Sequence, residues 1–146
     1  MKAKLVAESQ GPRIWILVLD SGEEVMQALR DFALQHRVGA ASFVALGAFR
    51  SAVLGYFDLQ RRQYQPVPVE SQVEAITLVG DIARDEAGKP SVHAHAVLGL
   101  PDASTRGGHL LRGEVRPTLE VTVTETPAHL RRTRRPELGI ALIDLD

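Results

Sequence analysis

The sequence predicts an α+β domain built on a mostly antiparallel sheet. Three observations predict it. Only one segment, near residues 22–36, carries strong helical periodicity. Six or seven segments carry strand patterning, and the two kinds scarcely alternate, which disfavours a doubly wound parallel sheet. The chain has 146 residues, about one domain's worth, so residues 1–146 are read as a single domain. With 45% hydrophobic and 24% charged residues the balance is globular, which excludes a disordered or low-complexity chain.

The elements follow in order. Ile14-Trp15-Ile16-Leu17-Val18-Leu19 is a short apolar run rich in β-branched residues and reads as a buried strand. Ser21 followed three residues on by Glu24 matches a capping box. Val25, Met26, Leu29, Phe32 and Ala33 then fall at helical spacing, and Gly39 helps to end the helix. Ala41 to Ala48 and Ala52 to Phe57 read as two strands. Pro66 and Pro68 point to an edge or a loop. Val73 to Ile82 is a further strand, Asp85-Glu86-Ala87-Gly88 a turn, and Ser91 to Leu98 a strand after Pro90. A loop is expected from Pro101 to Gly107-Gly108. Leu119, Val121 and Val123 alternate with Thr and Glu as a half-buried strand does, and Gly139 to Leu145 reads as a terminal strand. Ala41 to Ala48 is apolar on both faces, so it calls for cover on both sides, by helices or by neighbouring subunits.

The chain has no cysteine, which removes disulfides, thiolate zinc sites, Fe–S clusters and cysteine nucleophiles together. Any metal must therefore rest on His or carboxylate. The net charge is −1, so the domain as a whole has no field for nucleic acid. The distribution is uneven, at −2 over residues 1–105, +4 over 106–135 and −3 over 136–146. No apolar run approaches the ~20 residues of a membrane span. Glu8, Gln10 and Pro12 spoil a signal-peptide core, so the expected location is the cytoplasm.

Of the five histidines, three form a pattern. Alternation puts His93 and His95 on one face of a strand, about 6–7 Å apart. Gly107-Gly108-His109 follows, and its glycines allow either unusual backbone conformations or close approach of another segment. They could place His109 opposite the strand. Three neutral imidazoles with an open position suit zinc or another borderline divalent ion, and a metal-activated water. The alternative is a set of histidines that only hydrogen-bond across the sheet. Glu120 is a candidate fourth ligand or general base. His36 is read as a surface residue near a helix C-terminus, and His129 as a loop residue.

The ordered motifs Gly80-Asp81-Ile82, Gly88-Lys89-Pro90-Ser91-Val92-His93-Ala94-His95-Ala96, Gly107-Gly108-His109-Leu110 and Thr118-Leu119-Glu120-Val121 resemble the PPC domain, "plants and prokaryotes conserved", also called DUF296. The resemblance covers nearly the whole chain. It implies a mostly antiparallel central sheet of about seven strands with flanking helices, assembled as a homotrimer. It further implies a metal site on His93, His95 and His109. Plant members carry a separate AT-hook, whose core is R-G-R-P. Here Arg131-Arg132-Thr133-Arg134-Arg135-Pro136 resembles that core but has Thr133 where the glycine belongs. Arg131, Arg132, Arg134 and Arg135 remain candidates for phosphate contact, against the plainer reading of a solvated loop balanced by the acidic tail.

Three functions follow as expectations. The first is a trimeric, zinc-binding PPC protein acting as a DNA-associated or regulatory module. The second is a zinc-dependent enzyme or small-ligand-binding protein using His93, His95 and His109 with Glu120. The third is a purely structural trimerisation domain.

Overall fold

The computed structural model describes residues 1–8, 11–126 and 130–145; His129 lies outside the described residues. Nine strands and one helix occur among them: β1 (Lys2–Ala7), β2 (Ile14–Asp20), α1 (Val25–Gln35), β3 (Ala41–Asp58), β4 (Gln63–Val69), β5 (Val73–Arg84), β6 (Pro90–Gly99), β7 (Thr105–Glu125), β8 (Arg131–Arg135) and β9 (Ile140–Asp144). The α+β reading holds, with two corrections. The sheet has nine strands rather than about seven and is mixed, because β8 runs parallel to β5 where Arg131 meets Arg84. Flanking helices do not occur among the described residues, where α1 is the only helix.

The two expected strands around residues 41–57 are one strand of 18 residues, and β7 runs unbroken for 21. The length has a structural use. The first half of β3 pairs with β5 and its second half with the β4 edge strand, while β7 pairs along nearly all of it. β6 pairs with β5 and, at its end, with β7. The pairings β3–β5, β5–β6, β6–β7 and β7–β3 thus close a ring. Closure satisfies backbone donors and acceptors that an open sheet would leave at its edges. The glycines expected in a loop before His109 lie within β7 instead, with Gly108 opposite Ala96. A Cβ on Gly108 would stand 3.1 Å from the Gly55 carbonyl oxygen, so close approach is what this glycine serves.

The core lies between α1 and the sheet. Leu29, Phe32 and Val25 of the helix are fully buried with Phe49, Leu78, Ala94, Leu98 and Leu110. α1 packs on β6 and β7. Small side chains at Ala94 and Ala96 face it, and alternation turns His93 and His95 the other way. The capping box is not formed. Gly22 turns the chain at φ +90°, and Glu24 is itself the N-cap, accepting from Met26 N at 3.1 Å and Gln27 N at 2.8 Å. Its carboxylate also accepts from Gly113 N of β7 at 3.1 Å, a reach the shorter Ser21 lacks. The helix ends through Arg37, at φ 54°, rather than through Gly39. His36 is not free on the surface: its ring packs against Trp15 and Phe32, at 4.5 and 4.9 Å.

Gly80 offers a check on this packing. A Cβ there would collide with the His93 carbonyl oxygen and the Phe43 ring. Gly80→Ala is expected to cost about 1–3 kcal/mol, the usual cost of overpacking, read as a lowered midpoint in urea unfolding.

Candidate metal centre

The ring of strands brings three histidines together. His95 stands directly opposite His109 in the β6–β7 register, and His93 is two residues along β6 on the same face. The rings of His93 and His109 lie 5.0 Å apart, those of His93 and His95 5.0 Å, and those of His95 and His109 5.4 Å. One nitrogen from each lies within 4.8 Å of the others. His95 is exposed and the other two are half-buried, so the cluster opens to solvent on one side.

Charge is unwelcome on these rings. Burial, then the neighbouring His93 and His95, then Arg132 press His109 down to about 4. Burial and His93 also lower His95. At neutral pH both are therefore neutral imidazoles, the form that ligates metals.

Residues outside the triad hold it. The Tyr64 ring, from β4, stacks on His109 at 4.4 Å, and its hydroxyl lies 3.3 Å from His109 Nδ1. Asp81 stands opposite His93 in the β5–β6 register, with Oδ2 3.7 Å from His93 Nδ1. Its other oxygen accepts from Arg132 Nη2. Burial works to raise the Asp81 carboxyl, but His93 and Arg132 outweigh it and hold it below its ordinary value. Asp81 lay within the quoted motif Gly80-Asp81-Ile82, whereas Tyr64 comes close only through the β3–β4 pairing, which local pattern does not reveal.

Two sequence-based expectations change here. Glu120 does not join the cluster. It lies far along β7, exposed, opposite Val18 and Leu46, in a groove of about 380 Å³ shared with Ile16, Val44 and Thr122. Within one chain, a carboxylate so placed lies outside the histidine cluster. The arginine run is not a loop but strand β8, and alternation divides it. Arg132 is 7% exposed and turned inward, Arg135 pairs with Asp144 at 3.3 Å, and Arg131 and Arg134 are exposed.

A family model described as Plants and Prokaryotes Conserved (PCC) domain matches residues 6–127. Among solved structures, the chain resembles a plant- and prokaryote-conserved protein from Pyrococcus horikoshii, with 26% identity, a TM-score of 0.85, and 94% of this chain and 97% of that one covered. It also resembles a protein from Ralstonia eutropha JMP134 named as a candidate DNA-binding protein, at 35% identity and TM-score 0.84, covering 90% and 91%. A metal-containing protein from Archaeoglobus fulgidus is similar at 30% identity and TM-score 0.84, covering 98% and 99%. No curated protein matches the chain.

The suppressed basicity of His109 has a pH signature. Its value falls from 6.5 to about 4 in the folded chain, so between these limits the unfolded state binds more protons. Its contribution to stability is present above about pH 6.5 and is lost as the pH falls towards 4. Urea unfolding of metal-free protein at pH 7.5 and 5.0 is expected to show the loss, and His109→Gln to make it smaller. Equal pH dependence in the variant would contradict the assignment.

Proposed function

We propose that this chain, which belongs to the Plants and Prokaryotes Conserved (PCC) domain family, is a single-domain, homotrimeric protein that holds one divalent cation on His93, His95 and His109. The observation that carries the reading is the convergence of three imidazole nitrogens within 4.8 Å on one sheet face. The donor set fits a borderline ion, zinc foremost, and without cysteine it does not suit a soft one. Three protein ligands leave a tetrahedral ion one position for water or a small ligand. A cation bound there supplies Lewis acidity to that occupant. Within one chain Glu120 lies outside the cluster, which favours ligand binding at the cation over a reaction with Glu120 as its base. The metal-containing relative from Archaeoglobus fulgidus supports the same reading.

The trimer is supported by an uncovered sheet face. Successive cross-strand pairs put Ile16, Thr122, Val44, Val79 and His95 in one row. Val44 and Leu46 are 55% and 64% exposed, and Ile76 and Val79 49% and 44%. An apolar face of this kind marks an interaction surface, and a ring of three copies is a closed way to cover it. The row ends at the histidines, so the interface borders the metal site. No described helix is long and apolar enough to cross a membrane, and the reading places the protein in the cytoplasm.

DNA association is a second reading. The Ralstonia relative's name and the exposed Arg131 and Arg134 favour it. Arg132 is buried and Arg135 is paired with Asp144, so binding should be weak and salt-sensitive.

Zinc titration of tag-free protein is expected to show one equivalent per chain and a raised melting temperature. His95→Ala and His109→Ala should each weaken zinc by more than the roughly 10–100-fold that loss of an outer partner costs. Wild-type protein that takes up no zinc would remove the metal reading. Sedimentation should find a trimer that Leu46→Glu splits. Mobility shift on duplex DNA at ~0.1 M salt should respond to Arg131→Glu with Arg134→Glu, and no shift with an intact trimer would end the DNA reading.

A further inference from the structure

The inward arginine of β8 is the feature that neither reading uses. Arg131, Arg134 and Pro136 around it are exposed, yet Arg132 is 7% exposed. Its Nε is buried without a hydrogen-bond partner among the described residues. Such a placement is costly and calls for compensation. The compensation is Asp81, whose two oxygens divide their work. Oδ1 takes Arg132 Nη2, and Oδ2 faces His93 Nδ1 at 3.7 Å. The elements enforce this geometry. Asp81 and His93 are partners in the β5–β6 register, and β8 joins β5 beside them, where Arg131 meets Arg84. Gly80, next to Asp81, lets β5 lie close to the His93 backbone.

We propose that Arg132 and Asp81 are positioning residues for the metal centre: Arg132 fixes the Asp81 carboxylate, and the carboxylate fixes the tautomer and orientation of His93. With Nδ1–H directed at the carboxylate, Nε2 is the nitrogen left for the cation. Carboxylates commonly hold metal-ligating histidines in this way. The arrangement also balances charge, since a lone guanidinium beside a divalent cation would repel it and the Asp81 carboxylate cancels it. Arg132 lies outside the segment 6–127 that the family model matches, on the C-terminal hairpin β8–β9. The inference rests on the metal reading above.

The test is zinc affinity by competition with a chromophoric chelator, together with the visible spectrum of the cobalt-loaded protein. The variants are Asp81→Asn, Asp81→Glu, Arg132→Met and Arg132→Lys, with Arg106→Met as an exposed control. Asp81→Asn, which removes the carboxylate and strands the guanidinium, is expected to weaken zinc about 10–100-fold, and Arg132→Met less. The double variant should lose less than the two single losses combined, because the residues act through one another. Arg132→Lys should recover part of the loss, and Arg106→Met should match wild type. Asp81→Glu keeps the charge pair and moves the carboxylate by one methylene. It serves if the other variants fail to fold, and it should weaken zinc and shift the cobalt spectrum. Wild-type affinity and an unchanged spectrum in folded Asp81→Glu and Arg132→Met, with zinc still lost in His109→Ala, would overturn the positioning role and leave the metal site standing. If wild-type protein binds neither ion, both fall.

Discussion

The pairing of β6 with β5 on one side and β7 on the other is the constraint on which the rest of the structure depends. It closes the ring β3–β5–β6–β7 and sets the register that puts His95 against His109 and His93 against Asp81. A one-residue slip of β6 would exchange its faces, turning the histidines into the core and Ala94, Ala96 and Leu98 out to solvent. The apolar face under α1 therefore protects the site chemistry. Fully buried Phe32, Leu98 and Leu110 stabilise one register, and the three imidazoles converge as a consequence of it.

The electrostatics of the site follow from that crowding. Burial foremost, and the neighbouring His93 and His95 after it, lower the basicity of His109. What repels protons leaves lone pairs free for a cation. On the other side of His93 the sign is reversed. Asp81 is held as a carboxylate by His93 and Arg132 against the effect of burial, so an anionic group stands beside the cluster. Tyr64 closes the flank over His109.

The same register joins the site to the rest of the sheet face. The row from Ile16 through Thr122, Val44 and Val79 to His95 is continuous, and its apolar members have no cover from α1, which lies on the opposite side. The two-sided apolar character of residues 41–48 was legible as a demand for cover. One helix meets half of that demand. The exposed half lies beside the histidines, so a subunit covering it would also line the approach to them.

Much of this was present in local pattern. The helix was legible because its apolar residues repeat at 3.6, and the pairing of His93 with His95 because H-x-H in a strand needs only alternation to share a face. Strand β1 and the basic strand β8 were not, because short polar strands carry no apolar alternation and are defined by the partners they meet. The helix cap shifted from Ser21 to Glu24 because a contact from β7 competes for the carboxylate. For Glu120, alternation tells which face the residue takes but not how far along a 21-residue strand it lies from His109 of the same chain. By itself, then, the sequence determined the chemistry: a cysteine-free α+β domain whose candidate ligands are three histidines in a recognisable order. Only the tertiary structure decided the geometry. Ring closure, strand register and the inward turn of Arg132 arise from pairings between separate strands, some of them as distant in sequence as Ala41 and Glu125, and no local periodicity encodes those.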